Sequence, residues 1–134
     1  ADGWPGAVVE VLSRDAARAQ DFLSWAESAG VGAAASNGDP VDLVINATPL
    51  GLTPADVLPL DREHLRRRAP AAVLDLVYVR GRTRFVQAAR EAGIAAEDGR
   101  DVLLEQGAAS FRHFFGVQPP RAVMRAAVED ALGA

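Results

Sequence analysis

The chain has 134 residues, 49% of them hydrophobic, which is one domain's length with enough apolar matter for a real core and too much for disorder. It has no cysteine, which excludes disulfides and thiolate metal sites, and a formal charge of −4, which argues against a nucleic-acid or membrane-surface partner. No apolar run approaches the roughly 18 residues of a membrane span, and Ala1-Asp2-Gly3-Trp4-Pro5 lacks the basic-then-apolar signature of a secretory signal, so a reducing cytoplasm suits the composition.

In chain order, Val8 to Leu12 is short and β-branched and predicts a strand. Ala19, Phe22, Ala26 and Ala29 recur at three- and four-residue steps, which predicts a helix over Ala16 to Ala29 closed by Gly30. Val31 to Ala35 is a candidate short strand. Asp42-Leu43-Val44-Ile45-Asn46 is the clearest strand, apolar without alternation, as expected of a strand covered on both faces. Two prolines and a glycine make Thr48 to Pro54 a loop. Asp61 to Arg68 fits one or two helical turns, and Ala72 to Val77 fits another buried strand. Thr83 caps a helix running to about Ala92, with Phe85, Val86 and Ala89 inward. Ile94 to Glu97 is a short strand. A helix from Val102 to Phe115 ends at Gly116, and Pro119-Pro120 opens a last helix. Alternating strands and helices predict an α/β fold: a mainly parallel sheet with helices on both faces. Ligands of such sheets bind beyond the carboxyl ends of the strands. The loops after Leu12, Asn46, Leu76 and Glu97 are therefore the ones that can carry chemistry.

The first of these, Ser13-Arg14-Asp15-Ala16-Ala17-Arg18, leaves a strand and enters a helix. Free N–H groups at the helix start and two guanidinium groups suit a phosphate. The alternative is a plain N-cap at Asp15 followed by solvated arginines. Asp15 is tolerable beside a phosphate if its oxygens cap the N–H groups of Ala17 and Arg18, and it can instead favour a ribose hydroxyl. In the second loop, Asn46 and Thr48 can hold a ligand or simply shape a turn. Tyr78, the single tyrosine, sits just past a strand, where its phenol can donate to a substrate or cover the sheet edge. In the fourth loop, Gly99 admits close backbone approach to a flat ring. Val102 and Gln106, four apart, share one helix face, so one can touch that ring while the other reaches a hydroxylated substrate; a solvated glutamine is the bland alternative. His64 and His113 have no serine or carboxylate at a telling spacing and are expected to be structural or surface residues. Arg66-Arg67-Arg68 is expected to be a solvated helix end, and Glu97-Asp98 is too little for a metal site.

Together these loops resemble one family. Asp42 to Thr48, Asp75-Leu76-Val77-Tyr78 followed by Gly81-Arg82-Thr83, and Asp98-Gly99 with Gln106, Phe111 and Gly116-Val117 resemble shikimate dehydrogenases in order and spacing. Ser13-Arg14-Asp15-Ala16-Ala17-Arg18-Ala19 is similar to that family's Asn-Arg-Thr-x-x-Arg-Ala motif. The resemblance implies a Rossmann-like fold and the carboxyl-terminal, NADP-binding portion of an enzyme of aromatic amino-acid (chorismate) biosynthesis. Such an enzyme reduces 3-dehydroshikimate to shikimate with NADPH. It implies that Arg14 and Arg18, flanked by Ser13 and Asp15, bind the 2′-phosphate of NADP. Asn46, Thr48, Leu76, Gly99 and Val102 would line the rest of the cofactor site, and Tyr78 and Gln106 would reach shikimate or 3-dehydroshikimate.

Two departures stand out. Ser13 and Asp15 replace an asparagine and a threonine, which leaves NAD open as the cofactor. Arg100-Asp101-Val102 stands where the family usually has Leu-Gly-Met, adding charge near the nicotinamide. The family's catalytic lysine and aspartate belong to an amino-terminal domain, and no motif of that kind occurs here. Gly3-Trp4-Pro5-Gly6 is not the glycine-rich pyrophosphate loop, since no strand leads into it. Residues 1–134 are therefore expected to form a partial nucleotide-binding domain that lacks the first strand and that loop and is inactive by itself. Its unpaired strand edges would close up, pair with another chain (a homodimer is one such assembly) or rest on further residues. A non-catalytic nucleotide-binding module is the alternative of a different class.

Overall fold

The computed structural model describes residues 5–133, so Gly3 and Trp4 of the opening turn lie outside the described residues. The chain divides into two compact units, one ending at Asp39 and one beginning at Pro40.

The first unit is a single β-α-β crossover. Strand β1 (Val9–Val11) leads into helix α1 (Ala16–Ser28) and strand β2 (Ala33–Ala35), and β2 pairs with β1 in parallel, Val9 opposite Ala33. Helix α1 begins at Asp15, whose carboxylate caps it, and buries Ala26 completely. Ala19 and Phe22 of the expected stripe are half-buried, while Ala29 is exposed. Both ends of the expected first strand fall away, since Val8 and Leu12 are 64% and 65% exposed and only the middle three residues pair.

The second unit holds strands β3 (Leu43–Asn46), β4 (Ala72–Asp75) and β5 (Ala95–Asp98), paired in parallel in that spatial order. Helix α2 (Arg62–Arg68) follows the long loop after β3, and helix α3 (Arg84–Glu91) crosses from β4 to β5. Helix α4 (Arg100–Phe115) leaves β5 and packs against α5 (Arg121–Leu132). Thr83 caps α3 as expected, its Oγ1 accepting from the Val86 N–H at 3.2 Å. The core lies between α2, α3 and one face of the sheet: Leu65, Phe85, Val86 and Ala89 meet Val73 and Ala96, with Val44 at the margin.

The opposite row differs from the expectation for β3. Its apolar run implies cover on both faces, yet exposure alternates, with Leu43 and Ile45 37% and 49% exposed and Asn46 buried. Strand geometry sends successive side chains to opposite faces, and here only the Val44 side meets the helical layer. Helix α4 begins at Arg100, two residues before the expected start. Gly99 is its N-cap residue and offers no side-chain cap, so hydrophobic spacing alone misplaces the first turn. Arg68 is buried rather than solvated, and its carbonyl accepts from the Val41 N–H. Among the described residues no helix is long and apolar enough to cross a membrane.

Candidate functional site

Two regions carry the expected site residues, one in each unit. At the start of α1 the hydrogen bonds are local. Ser13 Oγ accepts from the Asp15 N–H at 3.1 Å, and Asp15 Oδ1 accepts from the N–H groups of Ala17 and Arg18 at 3.0 and 3.2 Å. The other carboxylate oxygen lies 3.5 Å from Arg18 Nε. Asp15 thus occupies two of the N–H groups an anion would seek, and a ligand phosphate must be met by guanidinium groups instead. Arg18 is 85% exposed along its side chain, and an exposed pair of this kind is worth little in water. Arg14 is exposed and makes no ion pair among the described residues. Arg14 and Arg18 are thus the cations that this helix start leaves open to solvent.

The second region lies at the carboxyl ends of β3, β4 and β5. Parallel register sets Asn46 opposite Asp75 and Asp75 opposite Asp98, a polar row that closes three apolar strands. Asn46 is 3% exposed and fully engaged. Its Nδ2 donates to Asp75 Oδ1 at 2.7 Å and to the Leu50 carbonyl at 3.0 Å. Its Oδ1 accepts from the N–H and Oγ1 of Thr48. Asn46 therefore shapes the loop rather than presenting its amide to solvent. Asp75 is completely buried and also accepts from the Val77 N–H at 3.2 Å, while its Oδ2 has no hydrogen-bond partner. Sequence reading passed over this carboxylate as a site residue, although an acid inside the run Ala72 to Val77 is the signal that would have found it.

Over this row opens a cavity of about 300 Å³ that brings together Thr48, Leu52, Leu76, Val77 and Tyr78. Leu76 and Tyr78 are 38% and 37% exposed, which places an apolar wall and a phenol at one mouth. The loop on its far side is stapled: the Asp56 carboxylate accepts from the N–H groups of Gly51 and Thr53, and Arg84 Nη1 donates to the carbonyls of Pro54 and Asp56. Hydrogen bonds from the Thr53 backbone, the Thr53 side chain and then the Gly51 backbone hold Asp56 below the ordinary carboxylate range.

Gly99, Val102 and Gln106 are not in the lining of this cavity. Gly99 is buried at the end of β5, and a Cβ there would stand 2.3 Å from the Leu76 carbonyl oxygen. Its missing side chain makes room for the protein's own backbone before it makes room for any ring. Val102 is 40% exposed on the first turn of α4, and Gln106 is exposed one turn later. His64 does have a carboxylate partner, contrary to the sequence reading: Asp61 caps α2 and lies 2.8 Å from His64 Nδ1. The pair is exposed and secures a helix start. A second cavity of about 320 Å³ lies among α3, β5, α4 and α5. Six of its charged residues are mutually paired (Arg90 with Glu97, Arg100 with Asp98, Arg125 with Asp101), and Arg82 and Glu129, of opposite sign, complete its charged lining. Among the described residues no group of histidine or acid side chains is placed to hold a metal.

A family model described as the shikimate 5′-dehydrogenase C-terminal domain matches residues 99–129. A shikimate dehydrogenase (NADP(+)) of Methanocella arvoryzae is 37% identical over 95% of this chain and 49% of its own length. A crystal structure of shikimate 5-dehydrogenase from Thermus thermophilus, in complex with NADP(H) and shikimate, superposes with a TM-score of 0.77 at 34% identity. The match covers 95% of this chain and 47% of that one. The 5-ketofructose reductase of Gluconobacter sp. strain CHM43 superposes at 0.74 with 26% identity, over 92% of this chain and 47% of that one. The chain spans about half the length of the relatives it matches.

Proposed function

Because the chain corresponds, over nearly its whole length, to the carboxyl-terminal portion of shikimate dehydrogenases, we propose that it is the nucleotide-binding part of an NADP-dependent oxidoreductase that reduces 3-dehydroshikimate to shikimate. The observation that carries this reading is the cavity at the carboxyl ends of β3 and β4, where Thr48, Leu76 and Tyr78 converge. That is where a parallel α/β sheet takes its ligand.

The residues divide by chemistry. Arg14 and Arg18, set by Ser13 and Asp15, grip the 2′-phosphate of NADP. Asn46 fixes the loop that presents Thr48. Leu76, the Gly99 backbone and Val102 offer apolar surface to a nicotinamide. Tyr78 and Gln106 donate to the hydroxyls of shikimate. Bound NADPH supplies the hydride; this chain orients and desolvates, and no residue of it is assigned to proton transfer. Residues 1–134 alone therefore bind nucleotide without turning over. The activity belongs to aromatic amino-acid biosynthesis and to a cytoplasmic setting.

Calorimetric titration of the chain with adenosine 2′,5′-bisphosphate and with 5′-ADP tests the reading. The bisphosphate should bind more tightly, and Arg14→Ala with Arg18→Ala should remove the difference. Equal affinities, no binding of either, or NADPH oxidation by this chain on adding 3-dehydroshikimate would count against it. One feature favours a second reading, NAD use by a quinate/shikimate dehydrogenase: the Asp15 carboxylate beside the arginines. Its oxygens are already engaged with the helix start and Arg18, which weakens that case.

A further inference from the structure

Arg100 is not absorbed by the proposed chemistry, and its guanidinium is engaged by the protein's own backbone. Its side chain is 20% exposed. Nη1 donates to the Gly133 carbonyl at 2.7 Å, and Nη2 donates to the carbonyls of Val79, at 3.1 Å, and Gly81. Nε lies 3.2 Å from Asp98 Oδ2, and the Arg100 N–H donates to Asp98 Oδ1 at 3.1 Å. One planar fork thus joins the end of β5, the first turn of α4, the segment after β4 and the end of α5.

Tyr78 lies between two anchors on that segment. On one side the Val77 N–H donates to buried Asp75. On the other, the carbonyls of Val79 and Gly81 are held by Arg100, and the Gly81 N–H donates to the Leu132 carbonyl at 2.9 Å. The segment from Val79 to Gly81 has no strand or helix of its own to fix it. A loop with so few internal bonds opens at low free-energy cost unless outside donors hold it. Guanidinium is the side-chain group able to donate to three carbonyls while it lies against a carboxylate, and an ammonium cannot reproduce that fan.

We infer that Arg100 is a positioning residue: its guanidinium, reaching from the start of α4, sets the backbone on which Tyr78 meets the substrate. This rests on the proposed role of Tyr78 as a substrate contact, and the experiment separates the two.

Tyr78 is the single tyrosine of the chain, so biosynthetic fluorotyrosine gives one fluorine resonance. The wild-type line should be single and narrow. Arg100→Met should broaden or split it and speed hydrogen exchange at the Gly81 amide by about tenfold or more, with far-ultraviolet dichroism and tryptophan emission retained. Arg100→Lys should restore the line in part. If Arg100→Met fails to fold, the wild-type chain decides alone, because the Arg100 guanidinium protons should exchange far more slowly than those of Arg14. An unchanged Tyr78 line in folded Arg100→Met, or Arg100 protons exchanging as fast as those of Arg14, overturns the inference. Adding shikimate tests the underlying reading. A shift of the wild-type line supports Tyr78 as a substrate contact, whereas a line that ignores shikimate while responding to Arg100→Met removes that reading and leaves the clamp standing.

Discussion

Asn46 Nδ2 lies 2.7 Å from Asp75 Oδ1, joining the carboxyl ends of two parallel strands beneath the candidate cavity. One amide thereby meets one oxygen of a buried acid and, through Leu50 and Thr48, closes the loop above it.

The first prediction follows from the second Asp75 oxygen, which has no partner. Asn46→Leu leaves the buried carboxylate with the Val77 N–H as its remaining donor and should cost about 2–3 kcal/mol. Asn46→Asp should cost more, by setting two carboxylates face to face, and adding Asp75→Asn should recover much of that loss. Urea denaturation of the four proteins measures these differences. Losses below about 0.5 kcal/mol for Asn46→Leu would show that the pair carries nothing.

Gly99 has a φ of −74°, which any residue adopts, so its requirement is steric alone. Gly99→Ala places a methyl group against the Leu76 carbonyl and should cost about 1–3 kcal/mol. It should also shift the amide resonances of Leu76 and Val77. Wild-type stability with unmoved resonances would contradict the close approach.

Ala69 ends α2 in the left-handed region, with φ 43°, and is the one non-glycine residue there among the described residues. Pro70 follows and disfavours a right-handed helical conformation at Ala69. Ala69→Gly should therefore stabilise the protein by about 1 kcal/mol in the same denaturation assay. A decrease in the urea midpoint would refute it.

Asp56 titrates below its ordinary value because three N–H and O–H donors of its own loop hold the charged form. Its contribution to loop closure is complete above the ordinary carboxylate value and is lost as pH falls through the lowered one. Exchange protection at the Gly51 and Thr53 amides should fall on acidification in the wild type. In Asp56→Asn protection should be weak throughout and independent of pH. A mutant with wild-type pH dependence would assign the effect elsewhere.

Asp15→Thr keeps an N-cap oxygen, so α1 should lose no more than about 0.5 kcal/mol. It also removes a negative charge beside Arg18 and should tighten adenosine 2′,5′-bisphosphate binding by about 1 kcal/mol, or about fivefold. Unaltered affinity would mean that capping already silences Asp15.

Much of the fold is legible because its elements carry local marks. Asp15 and Thr83 cap helices from side chains that sit where the helix needs them, and apolar runs locate β3 and β4 to within a residue or two at their ends. Thr48, Leu76 and Tyr78 were legible as residues at strand exits, and the structure brings all three to one cavity. The rest depends on partners distant in sequence. That Asn46 faces Asp75 follows from a register set 29 residues apart, and that Arg100 reaches Gly133 follows from how α4 and α5 pack. The His64 carboxylate partner lay only three residues away, but its meaning required knowing that Asp61 begins a helix. The exposure of Leu43 and Ile45 could not be read from composition, since an apolar strand face reads alike covered or bare.

The contact between Gly99 and the Leu76 carbonyl changes what a glycine at this place is evidence of. Two strand ends touching backbone to backbone penalise every larger residue, whatever the molecule does. A descendant of this chain that had ceased to meet any dinucleotide would still keep that glycine, or lose stability. Retention of Gly99 in a lineage therefore testifies to inherited architecture, and testimony about chemistry has to come from positions such as Arg14 and Tyr78, where the fold itself asks for nothing.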